Sequence, residues 1–151
     1  MKSHANVYLW LIKSLLCLAL VIPTLTVVKG QEINEKEMVG FACGFGGESS
    51  ETVVKVTRLL RAHRYQKISN LLSTGNNAER FLAVISIEKL SDMGRYQIAA
   101  IERKQIEAIK ASGEKVSVCS GCTYFSEVSL SEMFREDNFL GSDGWISGAL
   151  K

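Results

Sequence analysis

Between Lys13 and Lys29 the chain runs for fifteen residues without a charge, SLLCLALVIPTLTVV, and this stretch constrains the rest more than any other. A basic flank, a short apolar core and small or β-branched residues at the Val28-Lys29-Gly30 exit form the pattern of an export signal, with cleavage expected before Gln31. The competing reading is a membrane anchor. Taken back to Val7, the apolar stretch is broken only by Lys13, and residues 7–28 then reach the roughly 20 residues that a bilayer crossing needs. Lys13 would snorkel to the headgroups. Residues 1–30 are therefore read as signal peptide or signal anchor. The expected location is exported (periplasmic, envelope-associated or secreted), with a single-pass anchored protein bearing an exported domain as the alternative. Cys17 sits inside the apolar core after Ser-Leu-Leu, which argues against a lipoprotein.

The apolar segment also changes how charge is read. Three of the 18 Lys and Arg precede residue 31 and none of the 16 Asp and Glu do, so residues 31–151 carry 15 basic against 16 acidic residues, a net of −1. No clustered basic excess asks for nucleic acid. Pro23 is the one proline, so everything after it is free of helix breakers of that kind. One domain's worth of chain follows the signal.

Residues 31–48 read as a flexible lead-in and a Gly-rich loop, VGFACGFGG, in which four glycines frame Phe41, Cys43 and Phe45. Ser49-Ser50 offers a helix N-cap. Val53, Val56, Leu59 and Leu60 then recur at helical spacing, with Arg58, Arg61 and Arg64 on the opposite face. Ile68, Leu71 and Leu72 form a second stripe ending at Ser73-Thr74-Gly75. Asn76 with Glu79 is a capping box, and the helix it opens, Ala78 to Leu90, is apolar nearly all round, which marks a central helix. Ile106 and Ile109 anchor another helix. Val116-Ser117-Val118 is a short β-prone piece. Ser129 with Glu132 opens a last helix. Residues 49–136 are expected to form the helical domain, and 137–151 a tail partly docked through Phe139, Leu140, Trp145 and Ile146.

Two short helices, a turn and a strongly apolar helix between Val53 and Leu90 resemble HEAT-type or armadillo-type units. The order AERFLAVISIEKL then VCSGCTYF is also similar to small exported bacterial proteins of no assigned activity. The resemblance implies a helical fold and export, and it carries no catalytic residue over. The expected fold class is all-α: stacked short helical hairpins, an apolar N-terminal helix, and a loop-rich, cysteine-containing C-terminal part.

Beyond residue 30 the cysteines are Cys43, Cys119 and Cys122, an odd number in an oxidising compartment. Three arrangements compete. A structural disulfide from Cys43 to Cys119 or Cys122 would tie the glycine-rich loop to the C-terminal part. A redox pair of Cys119 and Cys122 would use the Cys-x-x-Cys spacing, although no Trp flanks it and no proline is available opposite it. A Cys3His zinc site would recruit His63, the only histidine after residue 30. His63 also suits the C-terminal dipole of the first helix.

Other patterns carry less. Ser120-Gly121 lacks a nucleophile-elbow motif, and one histidine gives no choice for a triad. Gly44, Gly46 and Gly47 lack the Lys and Ser/Thr of a phosphate loop. Glu102, Glu107 and Glu114 alternate with Arg103, Lys104 and Lys110 like a solvated face. The sequence thus points to an exported, non-enzymatic helical interaction or structural module without a cofactor, its partner another envelope protein. Thiol-disulfide exchange through Cys119 and Cys122 is the enzymatic alternative.

Overall fold

The computed structural model describes residues 34–151, which belong to one compact unit, Ile33–Lys151. The signal or anchor expected over residues 1–30 lies outside the described residues. Among those described, no helix is long and apolar enough to cross a membrane.

The chain enters through a 3-10 turn, Glu35–Glu37, capped by the Asn34 side chain, and passes into a two-residue strand, β1 (Met38–Val39). Four helices follow: α1 (Glu51–Arg61), α2 (Tyr65–Thr74), α3 (Asn77–Asp92) and α4 (Ala100–Lys110). A hairpin of β2 (Lys115–Ser120) and β3 (Tyr124–Ser129) leads into the single turn α5 (Leu130–Met133). A second 3-10 turn, Phe139–Gly141, then precedes α6 (Ser142–Ala149).

The core gathers around α3. Phe81, Leu82, Ala83, Val84, Ser86, Ile87 and Leu90 are all buried, because α1, α2, α4, α6 and β2 pack against different sides of this helix. Its start is fixed by the Asn76 side chain accepting from the Glu79 amide at 2.9 Å while the Glu79 carboxylate accepts from the Asn76 amide at 3.1 Å. Reciprocal capping satisfies donors that the first helical turn leaves open. Ile85 is only partly buried, whereas Ile87 is fully buried.

The all-α expectation of stacked HEAT-like hairpins is overturned by a three-stranded mixed sheet in the order β1-β2-β3. The β1 strand runs parallel to β2, with Met38 opposite Ser117, and β3 runs antiparallel to β2 from Lys115↔Ser129 to Ser120↔Tyr124. Directly opposed residues share a sheet face. Val116, Val118 and Val128 therefore lie on one face, with Val116 and Val118 buried in the core cluster that contains α3. The C-terminal part is accordingly a hairpin with two short helices rather than loop. Its Trp145 indole donates to the Thr57 hydroxyl at 2.8 Å, and its ring lies 5.2 Å from that of Phe41.

Ser50 stands at the N-cap of α1 without capping it. Its hydroxyl donates to the Met38 carbonyl at 2.8 Å and accepts from the Gly40 amide at 3.3 Å, so it fastens the first helix to the first strand.

Candidate functional site

The three cysteines converge at the hairpin end of the sheet. Cys119 is the fifth residue of β2, opposite Phe125, and is fully buried. Cys43 opens a tight turn: its amide donates to the Glu48 carbonyl at 2.7 Å, and the Glu48 amide returns a bond of 3.0 Å. Backbone bonds from Gly44 to the Gly121 carbonyl (2.9 Å) and from Gly121 to the Ala42 carbonyl (2.8 Å) lay this turn beside the hairpin. Cys43 and Cys119 form a disulfide across 76 residues, with Cα atoms 5.6 Å apart.

Gly40 makes the bond possible in this place. A Cβ at Gly40 would stand 2.1 Å from both sulfurs, so only glycine lets the backbone leave β1 flush against the bridge. Gly121, at φ +57, supplies the left-handed turn residue between the two cysteines of the Cys-x-x-Cys pair.

Cys122 remains a free, exposed thiol, its Sγ 3.9 Å from the Gly44 carbonyl oxygen. Next to it Phe45, at the tip of the Gly44–Gly47 turn, is 97% exposed. The structure thus links Cys119 with Cys43 instead of with Cys122. His63 stands elsewhere, in a left-handed turn after α1 with its Nδ1 2.7 Å from the Tyr65 hydroxyl. No group of three or more His, Cys, Asp or Glu side chains able to hold a metal assembles among the described residues. The Cys43, His63, Cys119 and Cys122 set is therefore not brought together.

The sequence reading placed Glu102 on a solvated face. It is buried, and three donors converge on it: the Ser69 hydroxyl, the Tyr96 hydroxyl at 2.6 Å and the Ala99 amide at 2.7 Å. Burial alone would raise its pKa. The hydrogen bonds to the ionised form outweigh burial and hold it below the usual carboxylate range. Burial and the neighbouring carboxylate push Tyr96 upward. The cluster ties α2 to α4. Its one sequence signal was the position of Glu102 at the third residue of a helix, where a carboxylate turns back to the preceding amide.

Two surfaces complete the picture. From Thr52 to Ala78 the chain contains no acidic residue, while Lys55, Arg58, Arg61, Arg64 and Lys67 lie exposed along it. Of these only Lys55 is ion-paired among the described residues, with Glu79. Arg58 borders a cleft of about 770 Å³ that Lys36, Glu51 and Glu79 also line. At the outer edge of the sheet, β3 flanks a second cleft of about 460 Å³. No protein-family model, curated protein or solved structure matches the chain.

Proposed function

We propose that this protein is an exported, non-enzymatic interaction module, built to hold a binding surface steady in an oxidising compartment. The observation that carries the reading is the Cys43–Cys119 bond, whose buried sulfur rests against a glycine that no other residue can replace. Disulfides persist where thiols are oxidised, and the uncharged segment between Lys13 and Lys29 is the matching address. Cys119 is buried and already bonded, which suits a staple better than an exchanging redox centre, since attack on a disulfide needs access to its sulfur. The partner is another protein of the envelope. Intact-mass analysis with thiol counting, with and without reductant, tests the reading. The expected product begins at Gln31 and shows one thiol, at Cys122, before reduction. A chain isolated with Cys119 linked to Cys122 would instead favour thiol-disulfide exchange.

A further inference from the structure

Among the described residues, the outer edge of β3 carries few of the devices by which sheet edges avoid company. Edge strands present unpaired amides and carbonyls, and folded proteins blunt them with lysine, proline, bulges or a covering segment. Residues 124–129 (YFSEVS) contain neither lysine nor proline. Their register against β2 is unbroken. Among the described residues, no hydrogen bond other than those of the β2–β3 ladder reaches Tyr124–Val128. Tyr124 and Phe125 are 46% and 47% exposed.

Beside this edge lies the second cleft. Tyr124 and Val128, on the sheet face shared with Val116, line it together with Phe139 and Leu140. Leu140 is held at φ 50, ψ 23, a region that side chains other than those of Gly and Asn rarely occupy. Such strain persists where surrounding structure enforces it, often at binding surfaces. The rim carries Glu132 and Glu136 against Arg135, with Asp137 following, and Glu127 lies on the other face, where Arg80 and Lys115 line the same cavity.

We propose that β3 is a docking edge for an extended segment of a partner polypeptide that alternates apolar and basic residues. Successive side chains of an added strand point to opposite faces. One set enters the cleft over Phe139 and Leu140, and the other passes Phe125 and Glu127. Main-chain bonds to β3 supply affinity, and the cleft and rim supply selectivity. A second copy of this chain is a poorer occupant, because antiparallel pairing of β3 with itself brings two acidic rims together. The inference rests on the interaction-module reading and names its surface.

The exported protein, beginning at Gln31 and carrying an environment-sensitive dye on Cys122, is titrated with three synthetic peptides: alternating Val-Lys, alternating Val-Glu, and Val-Lys interrupted by prolines. Hydrogen exchange is followed in parallel. The Val-Lys peptide is expected to saturate and to protect amides within Tyr124–Val128. The Val-Glu peptide binds about tenfold or more weakly, and the proline peptide does not protect β3. Combining Glu127→Lys with Glu136→Lys, both exposed, is expected to invert the preference. Equal protection by the proline peptide, or an unchanged preference in the double variant, overturns the proposal. So does protection of β3 that depends on protein concentration without peptide, which would make a second copy the occupant. Protection by the peptides only near Arg58 defeats the edge and leaves the interaction module standing. No protection anywhere on the described surface defeats both.

Discussion

The helical body and the hairpin end are held by different physics. Around α3 the order comes from apolar burial on several sides, contributed by many residues. At the hairpin end few contacts do the work: one disulfide, a pair of backbone bonds between Ala42–Gly44 and Gly121, and the Ser50 hydroxyl. The first kind of stability is spread out and grows with buried area. The second is concentrated, and it fails when a single atom is added or removed.

The largest expected effect is in the body. Phe81→Ala should cost about 3–5 kcal/mol, since the ring is buried and touches those of Phe134 and Phe139, with centroids 5.0 and 5.9 Å away. Ile87→Ala should cost about 2–5 kcal/mol, and Ile85→Ala clearly less, in denaturant titrations. If the two isoleucines cost the same, the burial difference between them does not govern the body.

At the hairpin end, Cys43→Ser should lower stability by about 4 kcal/mol on the chain-entropy account of so long a loop. Peptide mapping should then find a new thiol at Cys119. A melting temperature unchanged by Cys43→Ser would erase the contrast between the regions. Gly40→Ala should prevent the bond from closing without touching either cysteine, which thiol counting would show directly.

A smaller effect separates charge from packing. Glu102→Gln should cost about 1–3 kcal/mol, because the buried acceptor loses strength against three donors. The sign of the pH dependence follows from its depressed pKa. The stabilisation is present above the ordinary carboxylate value of about 4.3 and is lost as pH falls through the lower folded value. In the variant the acid limb of the stability curve should flatten. Urea titrations across that range measure both.

The smallest change should be favourable. The Ser86 hydroxyl is fully buried on α3 with no hydrogen-bond partner among the described residues, so Ser86→Ala should raise stability by up to about 1 kcal/mol. A loss there would reveal a partner for that hydroxyl.

These differences explain what the sequence could tell. The body was legible because helix periodicity and capping are local signals. The Asn76–Glu79 and Ser129–Glu132 boxes stand where the residues put them, and the all-round apolar run from Ala78 to Leu90 is the central helix. The sheet was not legible. The β1 strand has two residues and exists only because Met38 and Val39 meet Ser117 and Val118 far along the chain. The β3 strand alternates weakly, and among the described residues it pairs on one side only. Its clue was the β-prone run on each side of Ser-Gly-Cys, a hairpin signature masked by reading Cys-x-x-Cys as a loop. Of the site, the Cys43 link to the Cys-x-x-Cys pair was among the arrangements the residues allowed. Which cysteine would remain free depends on β2 register, and the roles of Gly40 and Glu102 depend on approach in space. None of these is written locally.

The parallel pairing of β1 with β2 also imposes an order in time. A ribosome delivers Gly40 and Cys43 long before Val118 and Cys119, so the earliest strand has no mate until most of the chain exists. The helices between them can settle first. The sulfur bridge needs both ends of that span, so a chain truncated before residue 119 leaves Cys43 without its mate, a chemical mark of how far synthesis has gone.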